Sequence, residues 1–382
     1  MKPLLFFVLL LCCVFLQAAE DVKIKSHYSI RRIFRALEEE DLVKQLREFV
    51  KASRPNRVVG NPGHKKAREY IIRELKKIKS KKDNKNLSIQ EFSPEVDAAI
   101  KMYQDDFANK IQGQLKPDNP EYQKWKKFTE TMVAWLQSIK SLKGSNIIWE
   151  KKGSVNPEEV LIVSANYDGF GFDVKNQLLK IDPKENLPGS DDNGTGVAIL
   201  LELAKHLSKL DIPRTIRLVF FDWQETGFLG SKFYVDELQK EIASEKIKFA
   251  GHVNLLMLGH DTKSFDKEKK TGNMHLYIPP SKNEASEKSN KLASYLEKAG
   301  DRINRIVNFE IIKKDFDYGD ALSFQSANLP TVTFTQNWDN DFNSKANHTA
   351  NDFVESINFK TFYNSFLYIG GSVIAWSYGL EK

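Results

Sequence analysis

Three short apolar runs, Asn146-Ile147-Ile148-Trp149, Val160-Leu161-Ile162-Val163-Ser164 and Ile216-Arg217-Leu218-Val219-Phe220-Phe221, are joined by stretches whose apolar residues recur at helical spacing, such as Val197 to Leu210. Short runs rich in β-branched and aromatic residues suit strands, and strands that alternate with helices build a sheet covered on both faces. The expected fold is therefore α/β, a three-layer α/β/α sandwich around a mostly parallel mixed sheet. Two amphipathic helices precede the sheet within a helical region of about 28 to 81. Leu42, Val43, Leu46, Phe49 and Val50 form one apolar face, and Ala67, Tyr70, Ile71, Leu75 and Ile78 form another after the turn Gly60-Asn61-Pro62-Gly63.

Between about 94 and 142 lies a charged, aromatic-rich segment with Tyr103, Phe107, Tyr122, Trp125, Phe128 and Trp135, which Pro117 and Pro120 divide into two helical stretches. It reads as a helical insertion whose aromatics form a small core of their own, with a lid that grips peptide as the alternative. The 382 residues are 41% hydrophobic and 28% charged, enough for a sizeable core, which excludes disorder and a multispanning membrane protein. The 57 basic residues exceed the 51 acidic ones by a net charge of only +6, spread along the chain. That is too diffuse for a nucleic-acid footprint, so no nucleic-acid partner is expected.

Met1 to Ala19 has Lys2, an apolar run from Leu4 to Leu16, then Gln17, Ala18 and Ala19 before the acidic Glu20 and Asp21. That is the layout of a secretory signal peptide, too short to span a bilayer. Residues 20–382 then form one exported domain with no membrane span. Both cysteines, Cys12 and Cys13, lie in the apolar run, so the mature chain has no thiol or disulfide, which suits a bacterial periplasm or cell envelope. The alternative is a lipoprotein anchored through Cys12 or Cys13, but Leu11 and Cys12, which precede them, are not the small residues that such processing takes.

In an open α/β sheet, ligands bind beyond the carboxyl ends of the strands. There the chain places Asn166-Tyr167-Asp168, then Pro188-Gly189-Ser190-Asp191-Asp192-Asn193-Gly194-Thr195-Gly196, then Asp222-Trp223-Gln224-Glu225-Thr226-Gly227. Near the C-terminus, Asn347-His348-Thr349-Ala350-Asn351-Asp352 follows the strand-like Thr331 to Thr335. Alone, Asp192 reads as a turn and cap residue, Glu225 and His348 as surface groups.

Taken in order, from Arg57-Val58-Val59-Gly60-Asn61-Pro62-Gly63 to His348-Thr349, these motifs resemble the co-catalytic two-zinc aminopeptidases, the bacterial leucyl aminopeptidases, whose relatives include the glutaminyl cyclases. The resemblance runs from roughly Leu42 to the C-terminus and leaves the segment around 94 to 142 without a counterpart. It implies that Asp192 is the aspartate bridging two zincs, and that Glu225 and His348 are further metal ligands. It also implies a degenerate site. Asn166 stands where a zinc-binding histidine is expected, Leu256 where an aspartate ligand is expected, and Gln224 where a glutamate general base is expected. Asp320, in Tyr318-Gly319-Asp320-Ala321, keeps the carboxylate of the family's Ser-Asp-His segment, while its histidine is Ala321.

Two carboxylates and an imidazole leave a fourth position open on a zinc, so one zinc per chain is expected. Asparagine and leucine cannot hold a second. Glutamine hydrogen-bonds water but takes no proton, a loss of about 10² to 10⁴ in rate. His252, His260 and Asp261 flank the lost aspartate as candidate replacements. The reading is an exported metallopeptidase relative with weak or absent activity that binds or acts on peptide or protein N-termini. The alternatives are a single-zinc glutaminyl-cyclase-like acyltransferase and a non-catalytic peptide-binding envelope protein.

The export expectation has a direct check. Mass spectrometry of the cell-envelope fraction should find a mature N-terminus at Ala19 or Glu20 without lipid. A diacylated Cys12 or Cys13 would overturn it.

Overall fold

In the computed structural model, residues 37–78, 86–173, 175–263, 267, 272–280, 284–302, 309–314, 316 and 318–380 are described. The N-terminal segment with Cys12 and Cys13, and the parts of the 28–81 region before 37 and after 78, lie outside them.

The strands follow from burial. In β3 (Asn156–Asn166), every residue from Val160 onward is buried, and β6 (Arg214–Phe221) is buried at all but one position. Strands covered on both faces read as continuous apolar runs. Successive side chains point to opposite faces. Leu161, Val163 and Ala165 enter a core with helices α1 (Glu39–Ala52), α2 (Pro62–Lys77) and α5 (Thr195–Ser208). Val160 and Ile162 enter a second core on the other face, with Tyr234, Val235 and Leu238 of α6 (Leu229–Ala243) and Phe324 of α8 (Ala321–Ser326). The third layer is thereby explained.

The remaining strands of the main sheet are β1 (Leu87–Phe92), β2 (Gly144–Lys151), β7 (Lys248–Leu255), β8 (Met274–Ile278), β9 (Glu310–Lys313) and β10 (Thr331–Gln336), while β4 (Phe172–Asp173) and β5 (Leu178–Leu179) pair as a separate ribbon. The sheet order is β1-β2-β6-β3-β7-β10-β8-β9. Its centre, β6, β3, β7 and β10, is parallel, while β1, β2 and β8 pair antiparallel to their inner neighbours. The structure is thus the mixed α/β/α sandwich expected from sequence. In the parallel centre Asn166 lies beside Phe221, and Ser164 beside Asn254, so β3, β6 and β7 end along one edge. Helices α7 (Glu284–Arg302) and α9 (Phe359–Ser377) complete the first layer.

Residues 94–142 hold α3 (Val96–Asp106), continued by a wide turn to Gln112, and α4 (Pro120–Ile139), whose N-terminus Asn119 caps by accepting a hydrogen bond from Glu121 N at 2.8 Å. Several of their aromatics pack on one another, Phe107 with Tyr122 at 5.4 Å, Tyr103 with Phe128 at 6.3 Å and Trp125 with Phe128 at 5.6 Å between ring centroids. Ala99, Ile100, Met132 and Leu136 share one cluster with Val58, Leu187, Trp223 and Leu229 of the surrounding domain, so the segment is also joined to that domain's core.

Fixing α4 to the domain in this way makes its core residues expensive to truncate. Leu136 is fully buried, so Leu136→Ala should cost about 2 to 5 kcal/mol in urea denaturation. Leu142→Ala, at a site 39% exposed, should change stability by less than about 0.5 kcal/mol.

Candidate metal centre

Where β3, β6 and β7 end, the backbone turns sharply. Among the described residues seven non-glycines have left-handed φ, and three of them, Phe228, Met257 and His348, line the same cavity. Such conformations cost about 1 to 3 kcal/mol each and collect at functional sites. The loop after Pro188 needs Gly189, at φ +57°, because a Cβ there would lie 2.6 Å from both Arg57 Nη2 and Asp192 O.

That loop, the turn after β6 and the segment before α9 bring Asp192, Glu225 and His348 together, with one potential ligand atom of each within 4.8 Å of the others. His348 Nε2 is 2.9 Å from Asp192 Oδ2 and 3.6 Å from Glu225 Oε2. Asn347 donates to Asp192 Oδ2 at 2.7 Å, and Gln224 Nε2 donates to Glu225 Oε1 at 3.2 Å. Two carboxylates and one imidazole converging on a common point is the donor chemistry of a zinc site, and a second-layer amide on a ligand carboxylate is the usual means of orienting it.

The cluster is electrostatically costly as it stands. Burial pushes the Glu225 carboxyl well above the carboxylate range, and the charge of Asp192 adds to this. Burial opposes a charge on His348, but the Asp192 hydrogen bond and the field of Glu225 prevail and raise it to about 9. Around them, burial raises Asp168 and Asp352 to about 6 and Asp191 to about 8.

The other expected positions are accounted for. Asn166 Oδ1 accepts from Asn193 Nδ2 at 2.9 Å and its Nδ2 donates to Asp168 at 3.3 Å. Asp168 also accepts from Glu225 N at 3.0 Å, so it fixes the backbone of a candidate ligand. Leu256 lines the cavity and packs with Met257, Tyr277 and Phe316. None of the proposed replacement ligands joins the cluster. His252 is held between Ser164 Oγ at 2.7 Å and Thr331 Oγ1 at 2.8 Å, stacked on Phe324 at 3.6 Å. His260 faces Asp341 at 3.3 Å, and Asp261 accepts from Lys263 N at 2.9 Å and Thr361 Oγ1 at 2.8 Å. Asp320 is fully buried at the start of α8.

Three supporting residues have roles that the sequence did not disclose. Arg57 is fully buried and donates to the carbonyls of Tyr167, Pro188, Gly189 and Asp192 at 2.7 to 3.0 Å. Asp352 accepts from Asp191 N at 2.8 Å and Asp192 N at 3.0 Å. Asn347 is the third. All lie in the quoted motifs, but their partners are backbone groups or a ligand oxygen, which spacing alone does not reveal.

The centre opens into a cavity of about 840 Å³. Asp192, Gln224, Glu225, Asn347 and His348 line its polar part, with the alkyl group of Leu256 beside them. Tyr103 and Trp125 from the 94–142 segment, with Phe172, Tyr277, Tyr318 and Trp338, line the rest. Tyr103 also donates to Glu225 O at 3.4 Å, so the segment reaches the centre itself.

The profile of peptidase family M28 matches residues 146–370. Aminopeptidase YwaD of Bacillus subtilis is 32% identical over 126 residues, which cover 32% of this chain and 24% of that protein. Leupeptin-inactivating enzyme 1 of Streptomyces exfoliatus is 31% identical over 134 residues, 35% of this chain and 26% of that protein. The chain thus spans about a quarter of the length of these relatives. Among solved structures, a glutaminyl cyclase of Fimbriiglobus ruber superposes with a TM-score of 0.59 at 17% identity, covering 90% of this chain and 95% of that one. A zinc aminopeptidase of Bacillus subtilis does so with a TM-score of 0.58 at 17% identity, covering 88% and 94%. At that identity the likeness establishes the fold.

The protonation pattern predicts the pH dependence of the metal-free protein. Asp191, Asp352 and Asp168 lie at about 8, 6 and 6, above the 3.8 of the unfolded chain, and His348 lies at about 9, above 6.5. A folded value above the unfolded one means that the folded state holds more protons in that window, so stability is lost as pH rises through the folded value. The urea midpoint should therefore fall steadily from pH 6 to 9, and Asp191→Asn should remove the part of the fall near pH 8. A midpoint that rises over this range contradicts the assignment.

Proposed function

The chain belongs to peptidase family M28, and we propose that it is a one-zinc member that holds peptide or protein N-termini and hydrolyses them weakly or not at all. One observation carries this reading. Asp192, Glu225 and His348 converge, while Asn166 and Leu256, the two positions that would complete a second site, present an amide already hydrogen-bonded and an alkyl group. The donor set suits one zinc and gives a second ion only Asp192.

Zinc bound there would supply a Lewis-acidic centre with an open position for a carbonyl oxygen or water. The chain's own groups divide the remaining work. Asn347 fixes Asp192, and Asp168 fixes the backbone of Glu225. Gln224 holds Glu225 through its Nε2 and presents Oε1, an acceptor that can orient water but takes no proton at neutral pH. Hydrolysis then lacks a positioned base, a deficit of about 10² to 10⁴ in rate. The aromatic wall provides area for an apolar side chain next to the bound end. A cell-envelope location, drawn from the N-terminal layout, is part of the proposal. The three-ligand set equally suits a single-zinc glutaminyl-cyclase-like acyl transfer, which the same assays test.

Elemental analysis after dialysis should return close to one zinc per chain, and His348→Asn should abolish it. Asparagine is chosen because position 348 has φ 59°, which alanine adopts poorly. Two tightly held zincs, or a His348→Asn protein that keeps its metal, would refute the single site. Against leucyl anilides and glutaminyl peptides the wild type should stay well below the ordinary kcat/KM of about 10⁴ M⁻¹s⁻¹. The triple change Asn166→His, Leu256→Asp and Gln224→Glu should gain more than the single changes combined, since the groups act as a unit.

A further inference from the structure

The cavity beside the centre has two chemically different ends. Its polar groups gather at Asp192, Gln224, Glu225, Asn347 and His348, and most of the remaining lining is aromatic, alkyl or thioether. The two charged side chains of that remainder, Lys314 and Asp339, pair with each other at 2.5 Å.

The rings fall into two clusters. In the first, Tyr103 and Trp125 of the 94–142 segment and Phe172 each meet Phe128 edge-on, at 6.3, 5.6 and 5.2 Å between centroids. Phe128 is not itself a lining ring, so it braces the three that are. In the second, Trp338 stacks with Tyr318 at 4.6 Å and Phe342 at 4.4 Å and meets Phe316 edge-on at 5.3 Å. Among the described residues no ring of one cluster is in ring contact with a ring of the other, although both line the same cavity. Open space separates them.

Each cluster is tied to the centre. Phe172 N donates to His348 O at 3.0 Å, and the Tyr103 hydroxyl donates to Glu225 O at 3.4 Å. On the other side Leu256 and Met257 pack with Phe316, and Asn347, which holds Asp192, lies 3.7 Å from Met257 Sδ. A group seated between the clusters is therefore next to the Asp192, Glu225 and His348 group, where the first side chain of a ligand held by its end would lie.

Aromatic rings attract one another edge-to-face or offset-stacked, beyond what their buried area provides. Both clusters already use both geometries, so a ring inserted between them meets the partners it prefers. Met102 and Met257 add thioethers to the same lining, and sulfur also favours contact with a ring. A saturated side chain of equal size buries the same area without these attractions, and a smaller one leaves the wall atoms without contacts.

Resting on the peptide-end reading above, we propose that the first residue held at this centre is aromatic, its ring seated between the Phe128 and Trp338 clusters. Tyr103 and Trp125 are then specificity-determining residues. The segment that the family resemblance leaves without a counterpart selects a ring over the aliphatic side chain of a leucyl end.

The test is calorimetric titration of the full mature chain, zinc-loaded and metal-free, with three probes: phenylalanyl-alanine amide, cyclohexylalanyl-alanine amide and leucyl-alanine amide. The cyclohexyl probe keeps the ring's size and removes its π-system, and the metal-free arm gives the comparison without turnover. The phenylalanyl probe should bind about threefold to tenfold tighter than either of the others. Trp125 and Trp338 are half-buried and outside the metal-binding group, so Trp125→Leu and Trp338→Leu should each keep the zinc content and bring the phenylalanyl-to-cyclohexylalanyl ratio towards one. Equal or tighter binding of the cyclohexylalanyl or leucyl probe overturns the inference and leaves the peptide-end reading standing. A preference that survives both substitutions unchanged overturns it as well. If no probe binds in either arm, the peptide-end reading falls and the inference with it.

Discussion

A single buried cation ties the functional end of this molecule together. Arg57 enters from the turn between α1 and α2 and spends its guanidinium on four carbonyls, those of Tyr167 at the exit of β3 and of Pro188, Gly189 and Asp192 in the loop before α5. Burial lowers its pKa, and the fields of Asp192, Asp352, Asp168 and Glu225 work in the opposite direction. A fully buried charge is tolerable only when its donors are used and carboxylates stand nearby, and both hold here. The carboxylates in turn tolerate one another because the cation is present. Removing the guanidinium would leave four carbonyls and a crowd of acids without compensation, so the loop that carries Asp192 depends on a residue that holds only its backbone.

The two positions at which the resemblance expects further ligands, 166 and 256, are satisfied without an ion. A histidine and an aspartate facing Asp192 would require a cation to offset their charge and lost hydration. Asn166, Asn193 and Asp168 instead satisfy one another through amide hydrogen bonds, with Asn193 reaching on to Leu255 O at 2.8 Å and Met257 N at 3.2 Å. Leu256 joins an apolar cluster on the opposite side. Buried amides whose hydrogen bonds are made are stable with no metal, whereas the Asp192, Glu225 and His348 group keeps like charges close together. The asymmetry lies in the residues themselves: one half of the centre is closed by its own hydrogen bonds, and the other is a group that could hold a divalent ion.

What the sequence disclosed follows the same physics. β3 and β6 were legible because both faces are covered, which leaves an unbroken apolar run, and helix α5 because its stripe is wide. The edge strand Leu87–Phe92 was not, since only Phe92 is buried and the rest carries no pattern to read. Asp192, Glu225 and His348, which the structure brings together, were singled out by the resemblance because metal chemistry restricts residue type as well as spacing. The same restriction misled at His252, whose ring fills a slot between two hydroxyls and Phe324, where its burial lowers its pKa far below the usual range and keeps it neutral. Arg57 and Asp352 act on backbone groups, which every residue possesses, so nothing in the partners' identity could announce them.

The 94–142 segment brings these points together. Its inner side shares a core with Val58, Trp223 and Leu229, which fixes it against the turn that carries Gln224 and Glu225. Its other contribution, Tyr103 and Trp125, faces Tyr277, Tyr318 and Trp338 across the cavity. A wall built half from this segment and half from the C-terminal strands surrounds the centre with aromatic surface and thereby lowers the local dielectric. In such surroundings every unpaired charge costs more and every satisfied hydrogen bond gains. The amides at positions 166 and 224, where the resemblance expects a histidine and a glutamate, are the residue type that such a setting favours. The segment and the centre are therefore parts of one cavity, to which the segment gives aromatic wall and the strand ends give the polar groups.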